Sequence, residues 1–473
     1  MKVIKQAATG LAVIVAIAAC GSSIPGSINA PHSLSAPVAS AISFMAYPAP
    51  EGFPNAHRAG ETSIGTVKGT NDALIQMEFV TARIKWDDAV DPATASWSNV
   101  TYTTHHATYD PILWTDRVTG RTFVSLLLPG TAITSFTDDG GTSWTPTVAP
   151  TTLIGFDHGT IASGPYTVPR PNQAYSNATY YCIGFLISTC ARSDDGSLTW
   201  GAPVVTDPLG DCGLNHGRPV VGPDGSVYVP RNVCGSTQGM LVSRDEGATW
   251  SKFPVSGTVS LGVIGGPAVA FDAAGRIYFA TASAGRPVIA TSVDGGKNWS
   301  PLVDVGEAFK TSNTAFAMVV AGDAGRAAFA FYGTPTEGDG RSADFTGVWH
   351  LYVSSTFDGG ATWQTVDATP IDPVQRGCVG QGSGYPRGPD SDLPLPLTRD
   401  GRPDESLDGP CFNQRDYQDM TVDPEGRVLI SYADGCTSAA CLAPNGTPAD
   451  SNDSLATISR QTSGRRLYAA FDR

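Results

Sequence analysis

Charge is scarce in this chain. Only 16% of its 473 residues are Asp, Glu, Lys or Arg, and Lys occurs just seven times. The 30 basic residues are outnumbered by 44 acidic ones, and the resulting net charge of −14 argues against a nucleic-acid partner, because phosphate binding needs a basic face. No Cys-x-x-Cys pair, His-Glu-x-x-His, EF-hand loop, Gly-x-Ser-x-Gly elbow or phosphate-binding glycine loop occurs. Their absence argues against zinc ribbons, dithiol redox centres, zinc-protease sites, serine-hydrolase sites and nucleotide sites. Beyond the N-terminus no apolar run approaches the roughly 20 residues that cross a bilayer. What the chain has in quantity is 53 Gly and 35 Pro, the composition of a turn-rich β-protein.

The N-terminus carries an export pattern. Lys2 and Lys5 precede a short apolar stretch, Ala7 to Ala19, and Ile17-Ala18-Ala19-Cys20 fits a bacterial lipobox. The expectation is a lipoprotein signal peptide over 1–19, a lipid on Cys20 and a Ser-, Pro- and Ala-rich tether over 20–45. The protein would then be extracytoplasmic and membrane-anchored, at the cell surface or in the periplasm. Nine cysteines leave eight once Cys20 is set aside. Chain order suggests Cys182–Cys190, Cys212–Cys234, Cys378–Cys411 and Cys436–Cys441, pairings that suit an oxidising compartment.

One pattern, Ser/Thr-x-Asp-x-Gly-x-x-Trp, recurs five times. Its clearest copy runs from Ser243 through Asp245 and Gly247 to Trp250. The others centre on Asp139, Asp195, Asp294 and Asp358 and end at Trp144, Trp200, Trp299 and Trp363; the copy at Asp195 has Ser197 in place of Gly. The tryptophans are 56, 50, 49 and 64 residues apart, a repeat spacing. In each copy the Asp carboxylate is suited to accept turn amides, the Gly to adopt a conformation other residues resist, and the Trp to wedge between layers. These residues build the fold.

A second hairpin signal precedes each of these turns: apolar run, Asp-x-Gly or Asp-x-x-Gly, apolar run. Asp224-Gly225, Asp272 to Gly275, Asp323 to Gly325 and Asp423 to Gly426 are examples, and Asp116 to Gly120 is a longer variant. Two hairpins make four antiparallel strands, the unit of a propeller blade. The count predicts an all-β propeller of seven blades, with six as the alternative, over residues 46–473. The first and last blades lack a good box; Trp97 and a strand over Leu467 to Phe471 stand in that place. A Pro- and Gly-rich insertion over 367–415 separates the sixth box from the last blade.

Asp boxes on a propeller resemble the sialidase (neuraminidase) superfamily, also called BNR or Asp-box repeat proteins, over most of the chain from about Glu61. The resemblance implies a glycan-acting propeller. Sialidases hold the substrate carboxylate with three arginines, use an aspartate as acid/base and attack with a tyrosine assisted by a glutamate. Here the family's Arg-Ile-Pro element is missing, Arg83-Ile84-Lys85 being its nearest match, so an arginine triad is not evident.

Candidate site residues lie where the chain enters the innermost strands, because propellers bind ligands at the channel mouth. His57, His105 and His106 fall there, with the acids Glu61, Asp110 and Asp157, and with His158 and His216. Five of the seven histidines are in this set. Glu61, Asp110, Asp157, His158, His216, Asp416, Tyr417 and Asp419 are the catalytic candidates, with Tyr417 placed to act as a nucleophile. Arg218, Arg415 and His106 are the substrate-binding candidates. No cofactor or metal is assigned; grouped carboxylates leave Ca²⁺ as the one alternative. The functional expectation is a monomeric, extracytoplasmic glycoside hydrolase acting on a carbohydrate or glycoconjugate, tethered to a membrane through its lipid. The alternative is a non-catalytic propeller that binds a glycan or a protein.

Overall fold

The computed structural model describes residues 41–102, 110–128, 131–150, 158–184, 188–207, 210–212, 216–260, 264–380, 417–448 and 453–472. Their strands form seven antiparallel sheets in chain order. Blade 1 spans Ser63–Asn99, blade 2 Pro111–Ala149, blade 3 Thr160–Val205, blade 4 Val220–Pro254, blade 5 Ala268–Asp304 and blade 6 Asn313–Asp367. Blade 7 combines Asp419–Val422, Val428–Asp434 and Leu455–Ser463 with an outermost strand from the N-terminus, Ser43–Pro48. Innermost strands of neighbouring blades touch, those of blades 4 and 5 being joined instead through the second strand of blade 4, and that of blade 7 returns to that of blade 1. The protein is a seven-bladed β-propeller.

The core lies between blades rather than inside any one of them. Seven clusters of buried side chains each join two neighbours, from Val67, Leu74, Leu113 and Val124 between blades 1 and 2 to Leu429, Ile458, Ile64 and Ile75 between blades 7 and 1. Each box tryptophan enters one of them: Trp144 between blades 1 and 2, Trp200 between 2 and 3, Trp250 between 3 and 4, Trp299 between 4 and 5, and Trp363 between 5 and 6. A single sheet offers two apolar faces and no core of its own, so ring closure is what buries both.

All five boxes make the same turn. In the Asp245 copy, Ser243 Oγ donates to Asp245 Oδ1 at 2.8 Å, Gly247 N donates to Ser243 Oγ at 2.7 Å, and Thr249 N and Oγ1 donate to the two carboxylate oxygens at 2.8 and 2.5 Å. Asp139, Asp195, Asp294 and Asp358 repeat this pattern with Ser143, Thr199, Asn298 and Thr362. Such bonds favour the ionised carboxylate, and they hold Asp139, Asp294 and Asp358 down at about 2. Arginines extend four of the five turns sideways: Arg83, Arg121, Arg192 and Arg244 donate to carbonyls of Gly140, Gly196, Glu246 and Gly295 in the following blade. Part of the arginine excess over lysine is thus used between blades.

Ser197 takes the conformation that glycine has in the other copies, φ +76°. Its amide keeps the turn bond to Ser193 Oγ at 2.9 Å, but its own hydroxyl is buried without a hydrogen-bond partner. A left-handed L-residue costs about 1–2 kcal/mol, part of which glycine's freedom in the unfolded chain would offset. Ser197→Gly is expected to raise stability by about 0.5–1 kcal/mol in urea unfolding.

Two expectations at the chain ends are corrected. The outer strand of blade 7 is Ser43–Pro48, so the propeller includes residues before the expected boundary at 46. Leu467 to Phe471 is no strand: Ala469–Phe471 is a single 3-10 turn beneath blades 6 and 7, where Arg326 grips Asp472 at 2.8 and 2.9 Å. Pairing strands from both chain ends closes the ring with backbone hydrogen bonds. A seventh blade built from the C-terminus alone would leave that closure to side-chain packing.

Disulfides join Cys182 to Cys190, Cys212 to Cys234 and Cys436 to Cys441, as chain order suggested. Cys378 is disulfide-bonded as well; its expected partner, Cys411, lies outside the described residues, as do Cys20 and most of the insertion.

Candidate functional site

The innermost strands all run in one direction along the channel, so their starts converge at one end, called here the upper end. The Asp-x-Gly and Asp-box turns lie at the opposite, lower end. Glu61, His158 and Tyr417 each sit two residues before an innermost strand, at Ser63, Thr160 and Asp419. Glu61 and His158 are held in the left-handed region, at φ +63° and +53°. Non-glycine residues adopt it only where the surroundings impose it, and such residues cluster at binding and catalytic sites.

Arg218 and Asp419 form the centre of this region. They belong to blades 4 and 7, on opposite sides of the channel, and Arg218 Nη1 donates to Asp419 Oδ2 at 2.9 Å. That oxygen also accepts Ile64 N of blade 1 at 2.9 Å, and Oδ1 accepts Met420 N at 2.8 Å. Burial pushes the Asp419 carboxyl above its usual range, against the pull of Arg218 and the two amides. The guanidinium lies 5.0 Å from the centre of the Tyr417 ring. The Tyr417 hydroxyl donates to Pro111 O of blade 2 at 2.8 Å. Blades 1, 2, 4 and 7 are therefore tied together across the channel.

Beside this bridge lie His158 and His216, both buried, with ring centres 6.1 Å apart. Burial holds His216 well below its ordinary pKa, and Arg231 and His158 add to the effect, so its imidazole is neutral. Nδ1 is hydrogen-bonded to Gly217 O at 2.9 Å, which requires the proton on Nδ1. Nε2 is then an acceptor, and it has no partner among the described residues. Nε and Nη2 of Arg218, a parallel pair of donors, are likewise buried without partners. A small cavity of about 30 Å³ touches His158, His216, Arg218, Phe316, Met318 and Tyr417. The close approach of the strand starts depends on glycine, since a Cβ on Gly217 would fall 1.8 Å from Pro267 O.

The structure thus brings His158, His216, Arg218, Tyr417 and Asp419 together. Asp110 is buried close by and accepts Gly159 N at 3.3 Å, joining blades 2 and 3. Glu61 is buried at the start of blade 1. His57 is displaced to the rim, half-exposed and paired with Asp453 at 2.7 Å. His106, Asp157, Arg415 and Asp416 lie outside the described residues. No group of three or more His, Cys, Asp or Glu side chains is placed to hold a metal ion among the described residues.

Sequence reasoning missed Phe316 and Met318, which wall the upper channel, and Gln418, whose amide donates to Phe316 O at 2.9 Å. Phe316 is in the left-handed region at φ +55°, and nothing in its sequence context signals that. It also missed a second acidic group, between blades 6 and 7. Asp434 ends an apolar strand and is buried near Asp372 and Asp453. Burial first, then those two charges, push its carboxyl up to about 8, although Cys436 N donates to it at 2.9 Å. The folded protein therefore binds this proton more tightly than the unfolded chain does. The stabilisation is complete below the ordinary carboxylate range and is lost as pH rises through about 8. Asp434→Asn is expected to flatten the decline in melting temperature between pH 5 and 9, and to exceed the parent in stability at the upper end.

No protein-family model matches this sequence, and no curated protein matches it. Solved structures do resemble it. A xyloglucanase from Xanthomonas campestris is 13% identical with a TM-score of 0.48, over 83% of this chain and 53% of its own. The Hadza microbial sialidase is 15% identical with a TM-score of 0.39, over 81% of this chain and 73% of its own. The fucose-binding lectin of Aleuria aurantia, described as a six-bladed propeller, is 10% identical with a TM-score of 0.42, over 70% of this chain and all of its own. At such low identities these likenesses identify neither a ligand nor a reaction for this chain.

Proposed function

We propose that this protein is an extracytoplasmic, lipid-anchored propeller that binds carbohydrate on the open upper mouth of its channel, with only a single hydroxyl or carboxylate group reaching into the small cavity beside Arg218 and His216. The observation that carries the reading is the set of unfilled polar atoms there: the Nε and Nη2 donors of Arg218 and the Nε2 acceptor of His216. Buried polar groups nearly always have partners, and a group left unpaired costs about 1–3 kcal/mol. A ligand rich in hydroxyls or carrying a carboxylate supplies both acceptors and donors. The Asp-box resemblance points to glycans as the class. The lipobox at Cys20 would anchor the propeller to the membrane, with the described residues from Ala41 onward reaching the glycans around it.

Glycoside hydrolysis is the second reading, favoured by the strained backbone at Glu61 and His158. Binding without hydrolysis takes precedence because Asp419 gives both its oxygens to protein donors and Tyr417 gives its hydroxyl to Pro111 O. The test is a glycan-array screen of the purified protein beside fluorogenic sialosides, hexosides and uronides. We expect glycan binding without turnover, lost in His216→Ala, a variant expected to melt earlier because it empties a buried position but to remain folded by circular dichroism. Turnover that depends on Glu61 or Asp110 would establish hydrolysis instead. Neither binding nor turnover would remove the carbohydrate reading.

A further inference from the structure

The Arg218–Asp419 bridge divides the channel, and a larger cavity lies below it. That space has a volume of about 300 Å³ and is lined by residues from the innermost strands and their lower turns. Its walls are largely apolar: Ile64, Val220, Phe271, Met318, Val320 and Met420 are typical. This is the smallest size at which a pocket encloses a compact organic ligand.

The charges around it are unequally committed. Asp116 spends one oxygen on the amides of Val118 and Thr119, and the other on the Tyr175 hydroxyl and Asn177 amide at 2.7 and 2.8 Å. Asp419 is held by Arg218 and two amides, with the more distant Arg117 charge adding to their pull. Arg117, from the same lower turn as Asp116, lines the cavity and is exposed, and its Nη2 donates to Thr421 Oγ1 at 3.3 Å. The lower channel therefore has an apolar interior and, at its mouth, the Arg117 guanidinium, whose charge is felt at Asp419 but which forms no direct carboxylate contact among the described residues.

We propose that the lower channel is a second binding site, for a small organic monocarboxylate with an unbranched or compact apolar body. The body would fill the space between Val220, Phe271 and Met318. The carboxylate would face Arg117, which presents a planar donor fork suited to it. The site is on the opposite face from the carbohydrate site and separated from it by the bridge, so neither proposal depends on the other.

Calorimetric titration of the purified protein with octanoate, and with octan-1-ol as its neutral counterpart, tests this. Octanoate is expected to bind about two- to fivefold more tightly than octanol, the factor that one ion pair with an exposed arginine supplies. Arg117→Gln should abolish this preference while leaving octanol binding in place. Val220→Trp, which fills the cavity, should remove both. Arg117 is exposed, so its replacement keeps the test decisive even if the tryptophan variant fails to fold. Absence of octanoate binding at millimolar concentration, equal affinity for both ligands, or binding indifferent to a folded Val220→Trp variant would each overturn the proposal.

Discussion

Arg218→Ala is expected to destabilise the protein by about 3–5 kcal/mol, because it leaves a buried carboxylate without its counter-charge. The side chains of Arg218 and Asp419 are only 11% and 7% exposed, so solvent screens little of their interaction. The loss should itself depend on pH. Burial already raises the Asp419 carboxyl, and without Arg218 the opposing pull is gone. A folded-state pKa raised above the unfolded value gives stability that is present at low pH and lost as pH rises. Urea unfolding should therefore show a smaller deficit at pH 5 than at pH 8. Replacing both residues, as in Arg218→Met with Asp419→Leu, should recover much of the loss, since apolar pairs often substitute for buried ion pairs. A deficit below about 1 kcal/mol at pH 8 would mean that the pair is solvated, as surface ion pairs are.

The second large effect concerns ring closure. Deleting Ser43–Pro48 removes the outermost strand of blade 7, which pairs with Phe44↔Gln461 through Pro48↔Thr457. It also removes Tyr47, buried edge-on to Trp86 of blade 1 at 4.8 Å, where Arg460 stacks on the same indole at 4.6 Å. One buried aromatic ring is worth about 1.5–3 kcal/mol, and the exposed strand edge adds unpaired backbone groups. The deletion is expected to cost on the order of 5 kcal/mol, a large share of the stability of an ordinary domain. The measurement is the denaturation midpoint of the truncated chain, with its solubility. Unchanged stability would mean that blade 7 closes without the N-terminal strand.

These two cases also separate what was legible in the sequence from what was not. The Asp boxes were legible because every bond that forms them runs between residues at most a few positions apart, as from Thr249 to Asp245. The Cys182–Cys190 bond was legible for a similar reason: its half-cystines face each other across one hairpin. Blade 7 was not, since its outer pairing joins residues more than 400 positions apart, such as Phe44 and Gln461, and no local pattern announces it. The apolar Leu467 to Phe471 segment offered a nearer but wrong partner.

The candidate site was legible in outline only. Polar residues at the strand starts marked His158, His216, Arg218, Tyr417 and Asp419, because a propeller brings those starts together whatever they contain. Their mutual bonding was hidden. Arg218 and Asp419 were expected in separate roles, one for substrate and one for catalysis, and the fold joins them across 201 positions of sequence. The neutral state of His216 follows from its burial against Arg231, a relation between two chain segments that no spacing reveals.

The most direct measurement is a crystal structure of the protein soaked with whichever glycan it binds most tightly on an array. The account predicts sugar density at the upper end of the channel, within hydrogen-bond distance of Arg218 Nε or Nη2 and His216 Nε2. Density confined to the blade flanks or to the Asp-box face, with those atoms still unpartnered, would contradict it.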